Sequence, residues 1–353
     1  MYGSRMTLEL LDGEQTVQER QQAGAADMST QLDARILELQ KERRKFFDQR
    51  REYNKLITAE ARAENIEAAL AAAAERLSET DPFDISSFHT YAADEESEAV
   101  LVFSDWHYGM TTSNVFNEYN TEICRQRIEK IVADAIARIQ LHRCNRLHVV
   151  VLGDLIHGAI HVGARVASEE LVADQLMQAS ELLAQAIDAL SDYVNELVVY
   201  TTYGNHARTV QSKNDSIHRD NMERIVRWWL EQRMKSKQNV IVAPEEKHEF
   251  LFVNACGHEI CASHGDLDGV KTSPRLLQAL FSKKFGKDIE CILIGDKHHR
   301  ESFDECGITA MLCGSLCGTD DYANDKRLYS QPSQLMLVVN AHDGIDAEYR
   351  LKC

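Results

Sequence analysis

Leu147-His148-Val149-Val150-Val151-Leu152-Gly153-Asp154 is a largely apolar run that ends on a glycine and a carboxylate. A strand this apolar is expected to be buried on both faces, as in a parallel sheet covered on each side. Gly153 permits a sharp turn. A carboxylate at that depth needs a partner, which a metal ion could supply; the N-cap of a following helix is the alternative. The same ending recurs. Ser104-Asp105-Trp106-His107, Gly204-Asn205-His206, His264-Gly265-Asp266 and Gly295-Asp296-Lys297-His298 also stand where apolar runs end. Strand ends are where open α/β sheets bind ligands.

Working outward, the spacing predicts strands over 99–104, 147–152, 197–203, 240–243, 249–253, 259–263, 289–294, 308–313 and 335–339. Long helical patterns separate the early strands, near 122–141, 167–195 and 215–235, whereas turns separate the later ones. This predicts an α/β fold of two packed sheets flanked by helices over residues 96–353. Residues 1–30, rich in Gln, Gly, Ser, Thr and Glu, are expected to form a disordered tail. Over 31–82, Leu32, Ile36, Leu39, Phe46, Tyr53 and Ile57 fall on a coiled-coil spacing with Arg43 and Arg50 at two seam positions. The series resumes at Ile66, Leu70 and Leu77, and Asp81-Pro82 is the expected stop. Such a helix could zip to a copy of itself, lie on the rest of the chain, offer its arginines to a phosphate backbone, or be a solvated charged face.

Composition narrows the class. No apolar run is long enough to span a membrane and the stretch from Met1 to Thr30 lacks a signal-peptide core, so a cytoplasmic protein is expected. Nine irregularly placed cysteines fit reduced thiols better than a disulfide framework. A net charge of −17 argues against simple electrostatic binding of nucleic acid, although Lys41, Arg43, Arg44, Lys45, Arg50, Arg51 and Lys55 cluster in the helix. No phosphate-binding glycine loop is present, so any ATP dependence would require a partner.

The polar strings offer three carboxylates, four imidazoles and an amide, a mixture that suits Mn, Fe or Zn without thiolate. On an extended backbone, Asp105 and His107 would project to the same side, although a surface turn explains an Asp-x-His equally well. The order Asp-x-His, Gly-Asp, Gly-Asn-His, His and Gly-x-x-His resembles the calcineurin-like metallophosphoesterase superfamily. That resemblance implies a four-layer α/β/β/α sandwich, here with an N-terminal long-helix extension. It implies two divalent cations, Mn first with Fe, Zn or Mg as alternatives. One would be held by Asp105, His107, Asp154 and His298, and the other by Asp154, Asn205, His264 and Asp296. His206 would contact the scissile phosphate and assist the leaving group.

Two positions depart from the family pattern: Asp296 stands where His is usual, and Ala207-Arg208 stands where an acidic residue usually follows Gly-Asn-His. The first hardens the second site toward oxygen-seeking ions, and the second removes an orienting partner of His206 while offering Arg208 to the substrate phosphate. His299 could substitute as a ligand. The string Gly153-Asp154-Leu155-Ile156-His157 resembles the DNA-repair nuclease subunits that partner an SbcC-type ATPase, which implies His157 near the phosphate and DNA as substrate, as exonuclease or endonuclease; an ATPase or a second copy could dock through the N-terminal helix. The layout also looks like phosphoesterases of bacteriophages and prophages. A small-substrate phosphatase, a cyclic-nucleotide phosphodiesterase, and a non-catalytic phage protein with a vestigial site are the alternatives.

Overall fold

The computed structural model describes residues 4–78, 96–158, 160, 164, 167–244, 249–269, 273–305 and 307–353. Residues 1–90 and 91–353 form two compact units. The first contains α1, a single helix Ser4–Ser78. Residues 4–30, expected to be disordered, are therefore helical. No proline occurs before Pro82, and Gln, Glu, Leu, Met and Ala outweigh the isolated Gly13 and Gly24, each of which costs about 1 kcal/mol in a helix. The predicted stop at Asp81-Pro82 and the side chains of Ile66, Leu70 and Leu77 lie outside the described residues.

In the second unit the chain runs β1 (Ser97–Phe103), a short hairpin of β2 (Thr112–Ser113) and β3 (Glu118–Tyr119), α2 (Thr121–His142), β4 (Arg146–Val151), α3 (Val172–Ser191) and β5 (Glu196–Thr201). There follow a 3₁₀ turn at Lys213–Asp215, α4 (Arg224–Arg233), β6 (Val240–Val242), β7 (Phe250–Ala255), β8 (His258–Ser263), α5 (Ser273–Phe285), β9 (Ile289–Ile294), β10 (Glu301–Glu305), β11 (Ile308–Leu312), α6 (Asp321–Lys326), β12 (Ser333–Asn340) and β13 (Gly344–Lys352). One sheet has the order β13-β12-β1-β4-β5-β6 and the other β10-β11-β9-β8-β7. In the first, β1, β4, β5 and β6 are parallel, while β12 and β13 extend it antiparallel. In the second, β8, β9 and β11 are parallel between antiparallel edges.

Strand periodicity builds four layers. Ala99, Leu101 and Phe103 of β1, with Leu147, Val149 and Val151 of β4, pack on α2, α3 and α4. The alternate residues Val100, Val102, Val150 and Leu152 turn to the other face, where they meet Ile260, Ala262, Cys291, Leu293 and Met311 of the second sheet. That sheet's far face, with Cys261, Ile292 and Ile294, is covered by Leu277 and Phe281 of α5. The result is the expected α/β/β/α sandwich, held by side chains that each contribute about 1.5–3 kcal/mol when fully buried. Two helices are shorter than their patterns predict. α3 begins at Val172 because the segment before it is bonded elsewhere, Glu169 N–H donating to Gly109 O. α4 begins at Arg224 because residues 216–223 form a loop whose polar groups tie down the candidate site.

Candidate metal centre

All five polar strings lie at the carboxyl ends of parallel strands: β1, β4 and β5 in one sheet, β8 and β9 in the other. Main-chain bonds continue past the strands and hold the loops together. Asp105 N donates to Gly153 O at 3.1 Å, His107 N to Asp154 O at 2.9 Å, and Thr202 N to Val151 O at 3.0 Å. The backbone is not extended at the key side chains. Asp105, His107, Asp154, Asp296 and His298 have φ of 52°, 47°, 50°, 59° and 57°. The expectation that Asp105 and His107 converge by strand alternation is thus corrected: two left-handed residues flank Trp106, whose fully buried ring packs edge-on against Phe103. Left-handed backbone costs an L-residue roughly 1–2 kcal/mol, and Asp, Asn and His tolerate it better than most.

Two donor clusters result. In the first, His107 Nε2 lies 3.1 Å from His298 Nε2, 3.9 Å from Asp105 Oδ1 and 3.9 Å from Asp154 Oδ2, and His298 Nε2 is 3.5 Å from Asp105 Oδ1. In the second, His264 Nε2 lies 3.4 Å from Asp154 Oδ2, 3.7 Å from Asp296 Oδ1 and 3.4 Å from the Asn205 amide nitrogen, which is 3.0 Å from Asp296 Oδ1. Turning that amide over presents its oxygen instead. Asp154 Oδ2 belongs to both clusters. Facing imidazole nitrogens and the buried Asp105 Oδ1, which makes no hydrogen bond of normal geometry, are what a cation-binding donor set leaves when its members are aimed at a shared point. The residues fit divalent cations.

The electrostatics agree. Burial would raise the Asp154 carboxyl, but His264, His206 and His107 hold it well below the carboxylate range. Burial would lower His264 and His298, but carboxylates outweigh it, Asp154 first for His264 and Asp105 first for His298, pushing them up to about 10 and about 9. His107 goes the other way, driven well down by burial and by His206. Carboxylates and imidazoles crowded this closely favour a cation between them.

His206 is oriented by the main chain and by Asp154. Its Nδ1 lies 2.8 Å from the main-chain oxygen of His157, to which it donates, and its N–H donates to Asp154 Oδ1 at 2.8 Å. The His206 ring centre is 4.5 Å from that of His107 and 5.7 Å from that of His157, so the structure brings all three imidazoles together. Arg208 lines a cleft of about 80 Å³ shared with Asn205, Lys213, His218 and Asp266. His299 is not in the site; its ring is half exposed and Nε2 lies 3.6 Å from Glu301. Cys317 stands in one group with His107 and His298. Burial and Asp320 hold its thiol well above the usual range.

Three supporting residues were not found from sequence. Lys297 Nζ is 2.8 Å from Asp296 Oδ2 and donates to Gly265 O, so it pins the unusual carboxylate between two loops. Glu223, almost fully buried, accepts from Leu155 N–H at 2.6 Å through Oε1 and from Gly204 N–H at 2.7 Å through Oε2. Asn221 donates to Gly204 O at 2.7 Å and accepts from Glu223 N–H. Burial, with the charge of Asp154, pushes the Glu223 carboxyl up to about 7. The pair clamps the loops carrying Asp154 and Asn205, yet Asn221-Met222-Glu223 reads as an ordinary helix approach. Glu223→Gln leaves one acceptor for two amides. It is expected to cost about 1–3 kcal/mol in a thermal melt and roughly 10–100-fold in metal affinity by titration calorimetry. Unchanged affinity would reduce the clamp to packing.

Among known proteins, no family model matches the chain. It is similar to the SPbeta prophage-derived uncharacterized protein YonJ of Bacillus subtilis (strain 168), 23% identical over 303 residues that span 83% of this chain and 73% of that protein. Among solved structures it is similar to an archaeal phosphodiesterase (13% identity, 71% of this chain and 99% of that one, TM-score 0.36). It is also similar to zinc-complexed Vps29 from Entamoeba histolytica (14% identity, 72% and 98%, TM-score 0.32). No helix among the described residues is long and apolar enough to cross a membrane.

Proposed function

We propose that the chain is a metal-dependent phosphoesterase of the calcineurin-like type, hydrolysing phosphodiesters, with DNA as the substrate. The observation that carries this reading is the Asp154 carboxylate shared by two donor clusters, with His206 held against it. Asp105, His107, Asp154 and His298 would hold one cation, and Asp154, Asn205, His264 and Asp296 the other. When bound, two divalent cations supply Lewis-acid charge for a phosphoryl group and lower the pKa of water. Manganese is the ion expected first, because Asp296 contributes an oxygen donor where an imidazole is usual.

The chain's own residues do the rest. With Nδ1–H committed to His157 O, His206 acts as the imidazolium, whose second proton, on Nε2, passes to the leaving oxygen and leaves the neutral ring. Asp154 holds the His206 main chain at the site. Arg208, in the cleft, offsets phosphate charge. His157, beside His206 and His107, is the residue that favours a nucleic-acid substrate, through the likeness of its string to the repair-nuclease branch. The prophage-derived relative supports a phage setting for such an activity. A second reading, a small-substrate phosphodiesterase, draws support from the net charge of −17 and from the small cleft beside Asn205.

Purified protein loaded with Mn is expected to cleave a chromogenic phosphodiester, linear duplex DNA and single-stranded DNA. His206→Ala should slow all three by roughly 10²–10⁴-fold. Cleavage of the chromogenic ester with intact DNA would reject the nuclease in favour of the small-substrate reading. No turnover of any substrate and no bound metal would reject both.

A further inference from the structure

The first compact unit carries a feature that the catalytic reading does not use. Along α1, positions 32, 36, 39, 43, 46, 50, 53 and 57 alternate steps of four and three, the spacing of a coiled-coil seam. Six of the eight are Leu32, Ile36, Leu39, Phe46, Tyr53 and Ile57, and all six are exposed, from 43% at Ile36 to 63% at Leu32 and Tyr53. A seam of large apolar side chains broken only at two positions, with Phe47 and Leu56 exposed beside it, marks an association surface. The remaining seam positions, Arg43 and Arg50, decide what can cover it.

In a parallel pair of copies, like seam positions face one another. Arg43 would meet Arg43 and Arg50 would meet Arg50, two successive like-charged layers in a seam from which water is being removed, where unpaired charge is costly. In an antiparallel pair the same seam faces itself in reverse. Centred between residues 44 and 45, it sets Leu32 against Ile57, Ile36 against Tyr53, Leu39 against Arg50, and Arg43 against Phe46. Every arginine then faces an apolar side chain along which its stem can lie while the guanidinium reaches water or an aromatic face. The contact is native to this stretch, for the Arg43 guanidinium already lies 5.5 Å from the centre of the Phe47 ring. The flanks agree: Asp33 falls opposite Asn54, Arg35 opposite Leu56, and Glu42 opposite Gln49, with no like-charged pair.

We propose that α1 is the dimerisation element of the protein, pairing residues 32–57 with the same segment of a second copy in an antiparallel coiled coil. The proposal is independent of the chemistry at the metal centre.

Every cysteine of the chain lies at position 124 or beyond, so a cysteine introduced into α1 reports on that helix alone. Full-length Leu32→Cys and Ile57→Cys proteins are made separately, mixed under reducing conditions and then oxidised, with wild type as the control for native thiols. The expected result is a disulfide between the two variants in the mixture and little crosslinking of either variant alone, because only facing positions bring Cβ atoms within disulfide reach. Crosslinking of each variant to itself, or of none, overturns the proposal. In sedimentation equilibrium the wild type should be a dimer, and Leu39→Asp with Phe46→Asp a monomer that hydrolyses a small phosphodiester at the wild-type rate. A monomeric wild type, a higher oligomer, or a double variant that remains dimeric also overturns it.

Discussion

Replacing Asp154 by Asn is expected to abolish measurable hydrolysis, a loss on the order of 10³-fold or more, because preorganised charge is usually the largest catalytic contribution in a dry site. The two oxygens of Asp154 are committed to different tasks. Oδ2 stands between His107 and His264, the hinge of the two donor clusters, while Oδ1 receives the His206 N–H. Asn has one oxygen. Turned one way it keeps the His206 bond and sends an amide group toward both cation positions; turned the other it keeps a neutral oxygen for the cations and sets two N–H donors against each other. Either outcome removes a negative charge that three imidazoles sustain at full burial. Metal content measured by plasma emission should fall from two ions per chain to one or none. Wild-type turnover with two ions retained would dismantle the shared-carboxylate arrangement.

Gly204→Ala should be strongly destabilising. A Cβ at position 204 would overlap both Asp154 Oδ1 and the Asp154 main-chain nitrogen. These are not the free ends of flexible side chains. The backbone between β4 and β5 would have to open, breaking the Glu223 bond to Gly204 N–H and displacing the central carboxylate. A cost of about 3 kcal/mol or more follows from overpacking of this kind, equivalent to a fall in Tm of roughly 6–12 °C for a unit of this size. Gly257→Ala is the control. Its φ is positive, but its Cβ would meet nothing within 4 Å, so only local backbone strain is added. Equal melting temperatures for the two variants would show that the loops do not approach as closely as described.

The parts of this molecule that were legible in its sequence are those written in residue type and period. Burial on both faces along 99–103 and 147–152 is implied by apolar runs too long for a one-sided sheet, and the four layers follow from it. The donor residues could be found because each closes such a run. Their geometry could not. Asp105 and His107 converge through left-handed backbone, and nothing in Asp-x-His announces φ above zero. The orienting partner of His206 is a main-chain oxygen, present at every residue and therefore invisible as a pattern. Glu223 reaches the Asp154 loop from a distant part of the chain, through a loop that the helical periodicity of 215–235 concealed. The polarity of residues 4–30 suggests disorder, whereas the absence of proline before Pro82 lets the segment continue as helix.

The left-handed turns at the donors have a consequence for what this site can become. A position held at positive φ admits few residue types cheaply, and among those able to bind a cation the tolerant ones are Asp, Asn and His. The loops therefore act as a filter on ligand chemistry, passing hard oxygen and borderline nitrogen and rejecting the bulkier or branched alternatives on conformational grounds before any metal is encountered. Within that filter the members are interchangeable as far as the main chain is concerned. Asp296 and His298 show it within one turn, the carboxylate at φ 59° and the imidazole at φ 57°. Metal preference in this architecture can drift one residue at a time while the scaffold stays still.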